Sequence, residues 1–301
     1  MITEGIITKG VGGQYEIKVT SDCPVKGERV ICGARGIMRN RKMTPAIGDQ
    51  VVIEPSGDPD VPYVIKTIKE RKNILVRPPV ANLSTIILTF ACVDPVPDLK
   101  LLDKMLIITA KLGIKPVIVF TKGDLDRQAC ESLKKIYSDA GFDVHISGSD
   151  NIICEEELRG SILPGIIGFA GPSGVGKSTA LNSVLSGDVM ETGEVSKRLK
   201  RGKHTTRHVQ LFDFGEDHIV DTPGFTSLSL YELGIEYTDV ILGYPEISGL
   251  ASGCRFDDCR HINETMCAVR GNIDSGRYDR YKEFYLELYE LRNTYVGRLK
   301  K

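Results

Sequence analysis

GPSGVGKST, residues 171–179, decides how this chain is read, because it fits G-x-x-x-x-G-K-[ST] between an apolar run, GIIGFAG, and a helical stretch, TALNSVL. In such a loop the backbone N–H groups and the N-terminus of the following helix face phosphate, and glycines permit the close approach. Gly171, Pro172, Ser173, Gly174, Val175 and Gly176 form the loop. Lys177 is placed to reach β- and γ-phosphates, the Ser178 hydroxyl to bind Mg²⁺, and Thr179 leads into the helix. A strand delivering a phosphate loop predicts an α/β core with its ligand at the carboxyl ends of the strands.

Two further motifs complete a nucleotide site. DTPG at 221–224 ends the strand-like DHIVDTPG, so Asp221 would hold Mg²⁺ through water and the Gly224 N–H would sense the γ-phosphate. TKGD at 121–124 ends the apolar strand PVIVF. Asp124 can accept hydrogen bonds from guanine N1–H and the 2-amino group, a pattern adenine cannot offer, while Lys122 lies along the base plane and Gly123 stands between them. Thr121 occupies the place where asparagine is commoner, and SGS (147–149), which also reads as a plain turn, would complete the base pocket through Ser147. The base-reading motif precedes the phosphate-reading ones, the reverse of the usual order, which implies a circularly permuted P-loop GTPase core. Neighbouring termini make such a rotation compatible with one sheet and one site.

RGKHTTRH, between the phosphate loop and DTPG, holds a threonine able to bind Mg²⁺ and the γ-phosphate only while that phosphate is present. Thr206 is the first choice and Thr205 the second. Phe225 follows DTPG, where many GTPases place a water-orienting glutamine nearby, and His204 is the nearest polar candidate for that task. Further on, Cys254, Cys259, His261 and Cys267 form C-x4-C-x-H-x5-C, four soft ligands suited to one structural tetrahedral Zn²⁺.

At 301 residues the chain exceeds one core. The motifs favour three domains, 1–72, 73–229 and 230–301. The first carries short β-type runs, YEIKV, ERVICG, DQVVIE and YVIKTI, with turn signals between them and a basic loop, RGIMRNRK, a pattern that fits an RNA-gripping OB-fold barrel. The second alternates strands and helices, as in STIILTFACV and LKLLDKMLIITAKLG. The third joins the Cys/His cluster to a helix in which Tyr278, Tyr281, Tyr285, Leu288 and Tyr295 form a packing stripe. The expected fold is therefore multidomain α/β: an N-terminal OB-fold β-barrel, a central circularly permuted P-loop GTPase domain and a C-terminal zinc-binding helical domain.

A formal net charge of −1 gives no global argument for nucleic acid, but basic runs around residues 26–42 and 197–207 do so locally. No stretch approaches the roughly 20 apolar residues of a membrane span, so a cytoplasmic protein is expected. Cys23, Cys32, Cys92, Cys130 and Cys154 share no spacing and read as buried or idle thiols.

Order and joint occurrence together, TKGD, GPSGVGKST, GKHTT, DTPGF and the Cys₃His set behind a β-rich domain, closely resemble the RsgA (YjeQ/YloQ) family of small ribosomal subunit biogenesis GTPases over essentially the whole chain. The resemblance implies a GTPase, with GTP and GDP as substrate and product, that engages 16S rRNA late in 30S maturation. It also implies slow hydrolysis alone and faster hydrolysis on the subunit, an apolar residue in place of the glutamine at Phe225, and a catalytic switch-loop histidine at His204. Partners would then be the 30S subunit and its 16S rRNA; separately, no DNA and no membrane partner is expected, and a monomer is the default for an oligomeric state the sequence leaves open. The alternative is an RNA-binding scaffold that holds GTP or GDP without turning it over.

Overall fold

A computed structural model describes residues 3–34, 44–59, 61–149, 155–184, 209–222 and 227–294. They form two compact units, each assembled from segments distant in sequence.

The first unit draws its described residues from Met1–Thr85, Ile162–Ala170 and Leu185–Phe225. Strands β1 (Thr3–Val11), β2 (Gln14–Val19), β3 (Arg29–Ala34), β4 (Gln50–Pro55) and β5 (Tyr63–Ile68) close a barrel in the order β1-β2-β3-β5-β4. β3 pairs with β5 in parallel and β1 returns to β4 antiparallel, the Greek-key closure of an OB-fold. Alternation along the strands sends Ile7, Ile17, Val51, Ile53 and Ile65 into the interior. The four runs read from the sequence are β2 to β5. β1 escapes that reading because Gly5, Gly10 and a bulge between Ile7 and Lys9 interrupt its alternation. Beyond the barrel, buried Asp49 accepts from Arg71 Nε at 2.7 Å, Arg71 Nη2 at 2.8 Å and the Ala46 N–H at 2.8 Å, tying down the chain that leaves β5. A short hairpin, β6 (Ile74–Val76) and β7 (Pro79–Ala81), follows.

Three more strands of this unit are β11 (Ile166–Ala170), β12 (Leu211–Phe214) and β13 (Asp217–Asp221). β13 lies between the other two, parallel to β11 and antiparallel to β12. The β12–β13 hairpin is fastened to the barrel, since Lys18 Nζ and Arg29 Nη2 each reach the Asp213 carboxylate at 2.9 Å and Lys9 bridges Gln210.

The second unit draws on Ile86–Ser161, Gly171–Val184 and Thr226–Lys301. β9 (Lys115–Thr121) lies between β8 (Leu83–Ala91) and β10 (Asp143–Ile146), parallel to the latter. β8 and β9 are nearly continuous buried apolar runs, as expected of strands covered on both faces. Helices α1 (Leu99–Lys111) and α2 (Arg127–Asp139) start on Asp98 and Asp126, whose carboxylates accept from the backbone N–H groups of Leu101 and Ala129. α3 (Glu155–Arg159), α4 (Lys177–Val184), α5 (Pro245–Leu250) and α6 (Ser275–Asn293) complete the described helices, with a 3₁₀ segment over Tyr237–Gly243.

α6 is held by a buried charge cluster. Arg277 donates to Asp103 of α1 at 2.6 Å, to Glu246 of α5 at 2.6 Å and to the Gly243 carbonyl at 2.9 Å, with the Tyr244 ring centroid 4.3 Å from its guanidinium. Arg280, Tyr137 and Tyr244 also bond Asp103. The tyrosine stripe packs as expected: Tyr281, Tyr285 and Leu288 are buried, and Tyr295 lies outside the described residues.

The cysteine expectation needs one correction. Cys92 and Cys130 are not separate idle thiols; a disulfide joins them, with Cα atoms 5.3 Å apart. Packing across 38 residues brings them together, which no local spacing reveals. Cys23 and Cys32 are free, and Cys154 lies outside the described residues. Among the described residues no helix is long and apolar enough to cross a membrane.

Candidate functional site

The carboxyl ends of β9 and β10 lie side by side, with Ile146 opposite Phe120, so Thr121 and Ser147 emerge at one edge. There the chain must turn sharply, and Lys122 takes a left-handed conformation with φ +59°. Such backbone costs of order 1 kcal/mol or more and persists where surroundings over-determine it. Here they do: the Lys122 ammonium donates to the Asp94 carbonyl, the Gly123 N–H to the Ser147 carbonyl at 3.1 Å, and the Ser147 N–H to the Phe120 carbonyl at 2.8 Å. Asp124 projects into solvent, oriented by the Ser149 hydroxyl at 2.6 Å. That hydroxyl, together with the backbone N–H groups of Ser149 and Asp124, holds the Asp124 carboxyl below the usual carboxylate range.

The phosphate loop joins this edge. Thr121 Oγ1 donates to the Val175 carbonyl, so the first residue of TKGD braces the loop. Gly171 is obligatory, since its φ is +152° and a Cβ would lie 2.1 Å from the Thr89 carbonyl oxygen. Gly176, at φ +85°, turns beneath Thr121 into α4. Lys177 folds back over the loop, its Nζ 3.1 Å from the Gly171 carbonyl and 3.4 Å from that of Pro172. Ser173, Gly174 and Thr179 are exposed and Val175 is buried. Ser178 follows Lys177 in the first turn of α4.

In the other unit, Asp221 closes β13 in register with Phe169, and Thr222 fixes the exit by bonding the Phe169 carbonyl through both its N–H (3.0 Å) and its hydroxyl (2.8 Å). His204, Thr205, Thr206, Gly224 and Phe225 lie outside the described residues.

Cys254, Cys259, His261 and Cys267 converge with their ligand atoms within 4.8 Å of one another. Tetrahedral zinc with Zn–S of about 2.3 Å and Zn–N of about 2.0 Å sets sulfur and nitrogen roughly 3.5 Å apart. The Sγ atoms of Cys254 and Cys267 stand 3.5 and 3.4 Å from His261 Nδ1, so the residues fit the ion. The knuckle is held from outside: Glu264 accepts from the N–H groups of Arg260, Ile262 and Asn263, while Tyr278 and Tyr281 of α6 donate to the carbonyls of His261 and Arg260. His261 itself sits at φ +60°.

Of the residues read from the sequence, the second unit brings together Thr121 to Asp124, Ser147 and Gly171 to Lys177, and separately the four metal ligands. Ser149 and Asp94 escape that reading. Within SGS the sequence points to Ser147, and only the turn after β10 shows that the Ser149 hydroxyl is the one that meets Asp124.

Two family profiles match the chain, one described as RsgA GTPase over residues 68–231 and one as RsgA N-terminal domain over residues 4–60. The small ribosomal subunit biogenesis GTPase RsgA of Clostridium novyi (strain NT) is 41% identical over 294 residues, spanning 95% of this chain and 96% of that protein. The protein of the same name from Bacillus velezensis is 37% identical over 308 residues, spanning 97% and 99%. Among solved structures, YloQ, described as a circularly permuted GTPase, superposes with a TM-score of 0.77 at 30% identity and 98% coverage of each chain. YjeQ from Thermotoga maritima gives 0.77 at 29% identity, covering 96% of this chain and 99% of its own.

Proposed function

This chain belongs to the RsgA GTPase family, and from that premise we propose that it hydrolyses GTP to GDP and phosphate on the 30S subunit and so assists late maturation of the small ribosomal subunit. One observation carries the proposal: the Thr121 hydroxyl donates to the Val175 carbonyl, so TKGD and the phosphate loop, fifty residues apart and in rotated order, meet as one guanine-nucleotide site requires.

In this reading Asp124 recognises guanine, Lys122 and Gly123 frame the base, and Ser147 with Ser149 supports them. Residues Gly171 to Thr179 hold the phosphates, with Lys177 on the β- and γ-oxygens. Ser178, Thr206 and, through water, Asp221 would hold Mg²⁺, which supplies charge neutralisation at the transferring phosphoryl group. Gly224 senses the γ-phosphate and His204 orients the attacking water, Phe225 being unable to. The four C-terminal ligands hold one structural Zn²⁺.

Residues 1–72 act as the RNA-binding barrel, 73–229 as the GTPase domain and 230–301 as the zinc domain. GTP-bound protein, a cytoplasmic monomer, grips the subunit and its 16S rRNA through barrel and zinc domain, and hydrolysis releases it. The test is GTP hydrolysis with and without purified 30S subunits, using ATP and 50S subunits as controls. Stimulation by 30S alone, lost in His204→Ala, is the expected result. Tight GTP binding with an unchanged slow rate would replace this reading with that of a passive RNA-binding scaffold.

A further inference from the structure

We propose that Cys92 and Cys130 form a reversible thiol–disulfide site that locks the base-reading loop and slows nucleotide release when oxidised. The proposal rests on the reading of TKGD as the guanine site. Three independent placements support it. The Cα separation of 5.3 Å is within the span a disulfide bridges without backbone movement. The pair straddles the loop: Cys92 directly follows β8 and its N–H donates to the Thr121 carbonyl at 3.0 Å, whereas Cys130 lies in the opening turn of α2, its N–H on the Asp126 carbonyl. Finally, the sulfur of Cys130 backs onto the loop itself, 3.8 Å from where a Cβ on Gly123 would sit.

Cys92 also stands two residues before Asp94, whose carbonyl receives the Lys122 ammonium. Asp94 at φ +42° and Lys122 at φ +59° both occupy left-handed backbone. A link from Cys92 to α2 therefore clamps both walls of a strained turn. In the linked structure Thr121 braces the phosphate loop and Ser149 holds Asp124, so the clamped form is the binding-competent one. Pre-ordering such a loop removes part of the entropy cost of binding and appears chiefly as slower release.

The chemistry balances with a low-molecular-weight disulfide as oxidant. One cysteine thiolate attacks the oxidant's sulfur, expelling the first small thiolate and leaving a mixed disulfide. The second cysteine thiolate attacks that mixed disulfide and expels the other. Two protein thiols are oxidised, one small disulfide is reduced to two small thiols, and the protons pass to the departing thiolates. Both sulfurs are buried, so reaction proceeds through fraying of the first turn of α2, which residues 124–126 lead into and where residues 124–128 are exposed.

The experiment treats the zinc-loaded full chain with oxidised glutathione or with dithiothreitol. It then follows peptide linkage by mass spectrometry and release of a fluorescent GDP analogue by stopped flow, in parallel with Cys92→Ala. The expected result is loss of the two thiol hydrogens, recovery of a linked 92–130 peptide, and release slowed about threefold or more. Dithiothreitol should reverse the slowing, and Cys92→Ala, which keeps every zinc thiolate, should not show it. Equal release from linked and reduced protein, a glutathione adduct that never closes, or no reaction would each overturn the proposal. Failure of both the linked and the reduced protein to bind GDP would instead strike the guanine-site reading.

Discussion

Asp124 is exposed, yet its carboxylate does not turn freely, because Ser149 holds one oxygen at 2.6 Å. A carboxylate aimed in advance at two guanine donors should discriminate steeply. Asp124→Asn is expected to weaken GDP binding about 100-fold or more, and to favour xanthosine diphosphate, whose 2-oxo group accepts from the new amide, in competition fluorescence. Because the Asp124 pKa is depressed, the group is ionised above the ordinary carboxylate value of about 3.9 and loses its charge only as pH falls through its lower folded value. GDP affinity measured between pH 8 and pH 5 should therefore show no contribution from Asp124. Thr121 teaches a related lesson. Sequence alone marks it as a departure from asparagine, but only the structure shows that a shorter hydroxyl side chain still reaches the Val175 carbonyl.

Two fastenings matter among the elements, and they differ in strength because they differ in burial. At Asp213 burial opposes ionisation, but hydrogen bonds and charge from Lys18 and Arg29 outweigh it and hold the pKa below the usual range. Its stabilisation is thus present above the unfolded pKa of about 3.9 and is lost as pH falls through the folded value. With the carboxylate 42% exposed, Asp213→Ala should cost at most about 1 kcal/mol at pH 7, and urea melts should show the deficit vanish in acid. Arg277 and Asp103 are fully buried, and removing one partner strands the other. Arg277→Met is expected to cost about 3 kcal/mol by the same melts, with Asp103→Asn restoring part of it. Periodicity exposed β2 to β5, the buried strands and the tyrosine stripe, since those patterns are local. It concealed β1, whose bulge breaks the alternation, and the arginine cluster, because charged residues on a helix read as surface until their distant acids are placed. The disulfide stayed hidden for the same reason, its partners being 38 residues apart.

At the scale of the molecule, the zinc knuckle and α6 are one construction, joined through Tyr278 and Tyr281. Cys259→Ser should release zinc, measured by metal analysis, and abolish stimulation of hydrolysis by 30S subunits while GDP affinity stays within about twofold, since none of the four ligands belongs to the base loop. Unchanged stimulation would detach the zinc domain from the GTPase cycle. The salt bridge between Lys18 and Asp213 spans 195 residues, and this sets a timetable for synthesis. At about 5–20 residues per second, a nascent barrel waits on the order of ten to forty seconds for the hairpin that fastens to it. Throughout that interval its own interior of isoleucines and valines must keep it folded, so a substitution such as Ile53→Ala should harm yield from the translating ribosome more than it harms the finished protein.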